Sequence, residues 1–170
     1  MTAARTLTTD RLTLRQPQAG DLPAYTAYCA SDRARFVRGP FTAPEAFDKL
    51  AAMIGHWTLR GFGRYVIEHR GAPIGHVGPM QLGDTSAPEL TWTLWDGAAE
   101  GHGFATEAAK RVRDHLLTDL GWPELIILVQ PDNMPSRRLA DRIGANLTDD
   151  PAPDWYPGCL TYRLTAEVPA

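Results

Sequence analysis

Glu100-Gly101-His102-Gly103-Phe104 lies between a strand-like run, Glu89 to Leu94, and a helix-like run that begins near Ala105. Gly101 and Gly103 lack Cβ atoms, so the main chain there can take unusual dihedrals and come close to a ligand. The first N–H groups of the following helix have no intrahelical partner, and with the helix dipole they make an anion site. Its first turn carries one acid, Glu107. A phosphate-bearing ligand is the chemistry this segment suggests, and a plain strand-to-helix turn is the alternative. A P-loop fails because the chain has no Gly-Lys pair. A dinucleotide fingerprint has its first two glycines here but Thr106 in place of the third.

The elements that must position this loop can be read from periodicity. Leu12 to Arg15 alternates as a strand. Asp21-Leu22-Pro23 opens a helix to about Ala30, with Asp21 as its cap. Thr42-Ala43-Pro44-Glu45 is a capping-box pattern, and Phe47, Leu50, Ala51 and Ile54 mark the inward face of a second helix running to Arg60. Strands follow at Arg64–His69, Ile74–Pro79 and Glu89–Leu94. The last of these places Leu90, Trp92 and Leu94 on one face and Glu89, Thr91 and Thr93 on the other. Ala105, Ala108, Ala109, Val112, Leu116 and Leu120 form a helical stripe. Leu125 to Val129 is aliphatic at successive positions, as in a strand covered on both faces. Asn133-Met134-Pro135 opens a last helix, and 146–148 and 160–164 read as closing strands. The order β-α-α-β-β-β-α-β-α-β-β describes a mixed α/β domain, with a meander first and a crossover helix later.

The chain has 170 residues, about one domain's worth, and no repeat or linker divides 1–170. Its formal charge is −3, which disfavours nucleic acid as the main partner. No apolar run approaches a membrane span and no signal-peptide segment opens the chain, so the expected setting is cytoplasmic, away from membranes. Cys29 and Cys159 form no framework and are expected as buried small hydrophobes. The histidines lack metal-ligand spacing, so no metal is expected.

Several motifs then fall in register. Glu100 to Ala105 resembles the Q/R-x-x-G-x-G/A loop of the GNAT N-acetyltransferase superfamily. Gly103-Phe104-Ala105-Thr106-Glu107-Ala108 is close to the "GYATEA" of its ribosomal-protein N-terminal acetyltransferase (Rim-type) branch. Pro131-Asp132-Asn133-Met134-Pro135-Ser136 with Gly144 resembles that branch's "PDNxxSxxxxxxxG", and Thr9 to Arg15 its opening "TxRLxLR". The resemblance implies a single-domain, mostly antiparallel seven-stranded sheet flanked by four helices and splayed after its fourth strand, Glu89 to Leu94. It implies acetyl-CoA as cosubstrate. The pantetheine arm would pair with the backbone of Trp92, Thr93 and Leu94. The pyrophosphate would lie on the N–H groups of Gly101, His102, Gly103, Phe104, Ala105 and Thr106, and Asn133 would contact the pantetheine or adjoining backbone. The family's Gln/Arg is Glu100 here.

Acetyl transfer to an amine requires the amine to lose its proton, the thioester carbonyl to be polarised and the thiolate to be stabilised. Glu89, at the start of the splayed strand, is the first candidate for the base, and His76 is the second. The tyrosine that many relatives use as acid falls at Ala140, so this branch's serine, Ser136, is the candidate acid. The implied activity is transfer of an acetyl group to a primary amine, on a protein N-terminus or a small molecule, by direct attack in a ternary complex. A non-catalytic acyl-CoA-binding or sensing module of the same fold is the alternative. The acceptor site would be built by the two early helices and the loops near Asp84 and Trp155. Asp32, Glu45, Asp84 and Asp96 lie in or beside that region and are compatible with a cationic acceptor. The superfamily's habit of pairing through strand edges allows a homodimer.

Overall fold

The computed structural model describes residues 2–83 and 87–166. Its strands and α-helices run, in chain order, β1 (Thr6–Thr8), β2 (Thr13–Arg15), α1 (Leu22–Cys29), α2 (Ala43–Arg60), β3 (Tyr65–His69), β4 (Ala72–Met80), β5 (Glu89–Leu94), α3 (Phe104–Asp114), β6 (Glu124–Val129), α4 (Met134–Arg142), β7 (Asn146–Leu147) and β8 (Leu160–Thr165). The sheet has eight strands in the order β1-β2-β3-β4-β5-β6-β8-β7. The expected count of seven missed β1, whose three residues bury only Leu7. That is too short an alternation to stand out, and β1 exists because it pairs with β2. The expected fourth strand is therefore β5, and the splay follows the fifth strand.

Every neighbouring pair is antiparallel except β5 with β6. Those two meet at one register point, Glu89 opposite Ile126, where the Ile126 N–H bonds the Pro88 carbonyl at 3.0 Å. Beyond it no ladder joins them, so the sheet opens along Trp92 to Leu94.

Antiparallel partners share a face. The register Val66–His76–Thr93 therefore sets one face, and Tyr65–Val77–Trp92 sets the other. Tyr65, Ile67, Val77 and Leu90 pack with Ala108, Ala109 and Val112 of α3. Val66 packs with Tyr25, Tyr28, Leu50 and Met53 of α1 and α2. Arg64 and Glu89 fall in the phase of this second face, the one α1 and α2 cover.

Two expected details change. The buried stripe of α2 is Ala46, Leu50, Met53 and Trp57, while Phe47 is 57% exposed and Ala51 is exposed. The inward face thus sits one residue out of phase with the expected one. Asp21 does not cap α1 with its side chain; it lies buried against the Arg15 guanidinium at 2.8 and 3.0 Å, and Arg15 also reaches Glu68 at 2.7 Å. A desolvated carboxylate needs a charged partner more than a helix end needs a cap. After α1 the chain makes a short 3₁₀ segment, Asp32–Val37, that the periodicity did not signal. After Asp114, α3 continues into a wider turn over His115–Asp119.

Candidate active site

The start of α3 is formed as the glycines imply. Gly103 sits at φ 79°, ψ 6°, in the left-handed region, immediately before the first helical residue. The Glu107 N–H makes a helical bond to the Gly103 carbonyl at 3.0 Å, so the amides of Phe104, Ala105 and Thr106 precede any intrahelical bond. The two nearby acids are engaged elsewhere. Glu107 accepts from Thr9 Oγ1 at 2.5 Å and pairs with Arg11 at 2.6 Å. Glu100 pairs with Arg33 at 2.7 Å. The Thr9-Asp10-Arg11 opening thus acts by removing a negative charge from the anion site. Gly101 and His102 are exposed, and the His102 ring stacks on Phe104 at 5.5 Å.

A cavity of about 950 Å³ runs from this helix start through the gap between β5 and β6. Trp92, Thr93 and Leu94 line it, as do Asn133 and Ser136. Trp92 spans the opening: its indole N–H donates to Ser136 Oγ at 3.2 Å. Asn133 Oδ1 accepts from the Ser136 N–H at 3.2 Å, capping α4. The Leu94 carbonyl accepts from Arg33 at 3.1 Å.

At the closed end of the gap stands Glu89. Its Oε2 is buried and has no hydrogen-bond partner among the described residues. Burial pushes its carboxyl up to about 7, against the pull of the Arg64 charge. His76 is 5% exposed, and its Nδ1 accepts from the Trp95 indole at 2.9 Å. Burial, with Arg64 nearby, drives its pKa well below the usual imidazole value. His76 thus holds Trp95 through Nδ1 and also lines the cavity, while Glu89 is the carboxyl there whose pKa lies near neutrality.

No motif in the sequence marks Arg64 or Arg38, and none fixes Tyr156 at the cavity. Tyr156 lines the cavity and donates its hydroxyl to the Phe36 carbonyl at 2.8 Å. Arg38 donates to the Trp155 carbonyl at 3.0 Å. These two bonds tie the 3₁₀ segment to the loop near Trp155 and roof the cavity. Among the described residues the expected acids do not line the cavity. Glu45 closes the α2 capping box with Thr42, Asp96 accepts from the Ala98 N–H at 2.9 Å, and Asp32 does not line the cavity. Asp84 lies outside the described residues. Charges in such loops serve local backbone donors first. Among the described residues no cluster of three or more His, Cys, Asp or Glu could hold a metal, and no helix is long and apolar enough to cross a membrane.

An acetyltransferase (GNAT) domain model matches residues 11–146. The structure is similar to that of the acetyltransferase from Agrobacterium tumefaciens str. C58, at 36% identity and TM-score 0.86 over 96% of each chain. It also resembles a putative ribosomal-protein-serine acetyltransferase from Vibrio cholerae, at 20% identity and TM-score 0.75 over 97% of this chain and 99% of that one. A third similar structure is Mycobacterium smegmatis RimJ in complex with CoA-disulfide, at 19% identity and TM-score 0.72 over 92% and 82%. The last two likenesses show the fold. No curated protein matches the chain. The orphaned amides, the opened sheet and the matched domain agree: the chain belongs to the GNAT family of acetyl-CoA-dependent N-acetyltransferases.

Proposed function

We propose that the protein transfers the acetyl group of acetyl-CoA directly to a primary amine held in the same cavity, with Glu89 as base and Ser136 as acid. The observation that carries this reading is the Glu89 carboxyl oxygen Oε2, buried and without a hydrogen-bond partner among the described residues, at the point where β5 and β6 part. Acetyl-CoA supplies the acetyl group as a thioester. The amides of 101–106, with His102 beside them, would hold its pyrophosphate. The backbone of Trp92, Thr93 and Leu94 would pair with the pantetheine arm, and Asn133 would sit beside that arm while capping α4.

The chain's own residues do the rest. Glu89 removes the proton from the incoming ammonium, a task suited to a carboxyl near 7. The nitrogen–carbon bond forms as the carbon–sulfur bond breaks; the departing sulfur takes its proton from Ser136 Oγ, the second proton of the attacking nitrogen passes through solvent to restore the serine, and Glu89 returns its proton to solvent. Because the Trp92 indole already donates to Ser136 Oγ, the serine's own proton is free to point elsewhere, and the bond it accepts makes it a better donor.

Free-thiol release from acetyl-CoA across a panel of amines tests the reading. Amine-dependent release that Glu89→Gln reduces at least tenfold supports it. Stabilisation by CoA without turnover on any amine, and a Glu89→Gln protein indistinguishable from the parent, points instead to an acyl-CoA-binding module.

A further inference from the structure

The charge around the cavity is lopsided. Arg33, Arg35, Arg38, Lys49, Arg64 and Arg142 line it, against the acids Glu89 and Glu100. Most of these bases have other work. Arg33 holds Glu100 and the Leu94 carbonyl. Arg38 holds the Trp155 carbonyl and lies 5.7 Å from the Tyr156 ring. Arg35 and Lys49 rest on Phe36 and Phe41, at 4.5 and 4.0 Å. Arg142 is exposed at the end of α4.

Arg64 differs. Its guanidinium has no hydrogen bond or ion pair among the described residues. It is only partly exposed, faces the cavity, and lies among Tyr25, Tyr28, His76 and Glu89. Burial pulls its pKa below the usual guanidinium value. A desolvated cation with no counterion is costly, and the cost is recovered only if an anion arrives. Glu89 does not serve, because the two side chains lie beyond ion-pair distance while each still feels the other's charge. The backbone holds Arg64 at this spot: its carbonyl accepts from the Trp57 indole at 2.9 Å. Gly78, at φ 145°, lets β4 approach so closely that a Cβ there would lie 2.9 Å from Arg64 Cα.

We propose that the acceptor is a small amine carrying its own anionic group, a carboxylate or a phosphate, which Arg64 grips while the amine lies at Glu89. This rests on the transferase reading above. A planar guanidinium suits both oxyanions, since it can bond either one through two parallel N–H groups. The Glu89 carboxyl and the partly exposed Arg64 guanidinium then face opposite ends of one zwitterion, and each satisfies the group the fold leaves open.

The test uses matched probes: amino carboxylates with one to four methylenes between amine and acid, each paired with its carboxamide, and 2-aminoethyl phosphate paired with ethanolamine. Thiol release and the melting temperature of the CoA-loaded protein are both recorded. The expected result is at least one anionic probe whose kcat/KM exceeds that of its neutral twin tenfold or more. The carboxylate and phosphate series show which oxyanion it is. Arg64→Gln should bring that ratio to within threefold of one, and Arg64→Lys should keep part of it, which also shows that the site tolerates substitution. Turnover with equal rates for acid and amide overturns the proposal and leaves the transferase standing. Arg64-dependent thermal stabilisation by the anionic probes without turnover overturns the transferase and keeps the anion site. Neither turnover nor stabilisation by any anionic probe counts against Arg64 as an anion anchor.

Discussion

Trp92 of β5 and Ser136 of α4 are joined by an indole-to-hydroxyl hydrogen bond of 3.2 Å across the gap where the sheet opens. The two residues stand on either side of the path assigned to the thioester, so the bond fixes the hydroxyl and the width of the opening at once. Ser136→Ala should lower kcat about tenfold to a hundredfold while changing the KM for acetyl-CoA less than threefold, a split expected of a group that acts on the leaving sulfur. Trp92→Phe should lower kcat less, because the hydroxyl survives without its orienting donor. Steady-state thiol-release kinetics on both variants check this.

Burial raises the Glu89 carboxyl from the ordinary carboxylate range to about 7. If this group is the base, kcat/KM for the amine should rise with pH through about 7 and then level off. Glu89→Gln should remove that limb and cost about a hundredfold in rate. A pH–rate profile of parent and variant reads both.

The same shift sets a stability slope. Between about 4.5 and 7 the folded protein holds a proton on Glu89 that the unfolded chain releases, so stability falls as pH rises through that window. The loss amounts to about 3 kcal/mol at pH 8. Glu89→Gln should therefore melt higher than the parent at pH 8 and about level with it at pH 4.5, as scanning calorimetry would show.

Gly103 has a left-handed backbone at the head of α3, and a Cβ added there would meet nothing closer than Arg11 Nη2 at 3.7 Å. Gly103→Ala thus probes backbone conformation without a clash. It should cost about 1 kcal/mol of stability and weaken CoA binding about fivefold or more by turning the first amides away. Denaturant titration and calorimetric CoA binding separate the two effects.

Away from the site, Asp21 is 1% exposed and bound to Arg15. Asp21→Asn should lower stability by about 3 kcal/mol, since it leaves the guanidinium only partly compensated. CoA affinity should stay within twofold, and urea unfolding beside CoA titration would show it.

The legible parts of this chain were those where chemistry is local. Two glycines before a helix, a cap at Asn133 and the alternation of Glu89 to Leu94 state their structure within a few residues, and each stands where the periodicity placed it. Helix phase was less secure. Leu50 and Ile54 fit two stripes one residue apart, and packing on Val66 and Tyr25 chose the one through Met53 and Trp57. The place of Arg64 was not legible. Arg64 points into the cavity because of a sheet register that joins residues far apart in the chain, and Glu45 and Asp96 turn to nearby backbone N–H groups. The 3₁₀ segment Asp32–Val37 carries no apolar period, and it is held to a distant loop by the Tyr156 hydroxyl on the Phe36 carbonyl and by Arg38 on the Trp155 carbonyl.

The central claim is that the cofactor's diphosphate lies on the first amides of α3 and its arm lies in the gap between β5 and β6. A crystal structure with CoA bound tests this most directly. The account predicts diphosphate oxygens within hydrogen-bonding distance of main-chain N–H groups in 101–106, with the arm alongside Trp92 to Leu94. A diphosphate bound elsewhere, or β5 and β6 joined by a continuous ladder through Leu94, would contradict it.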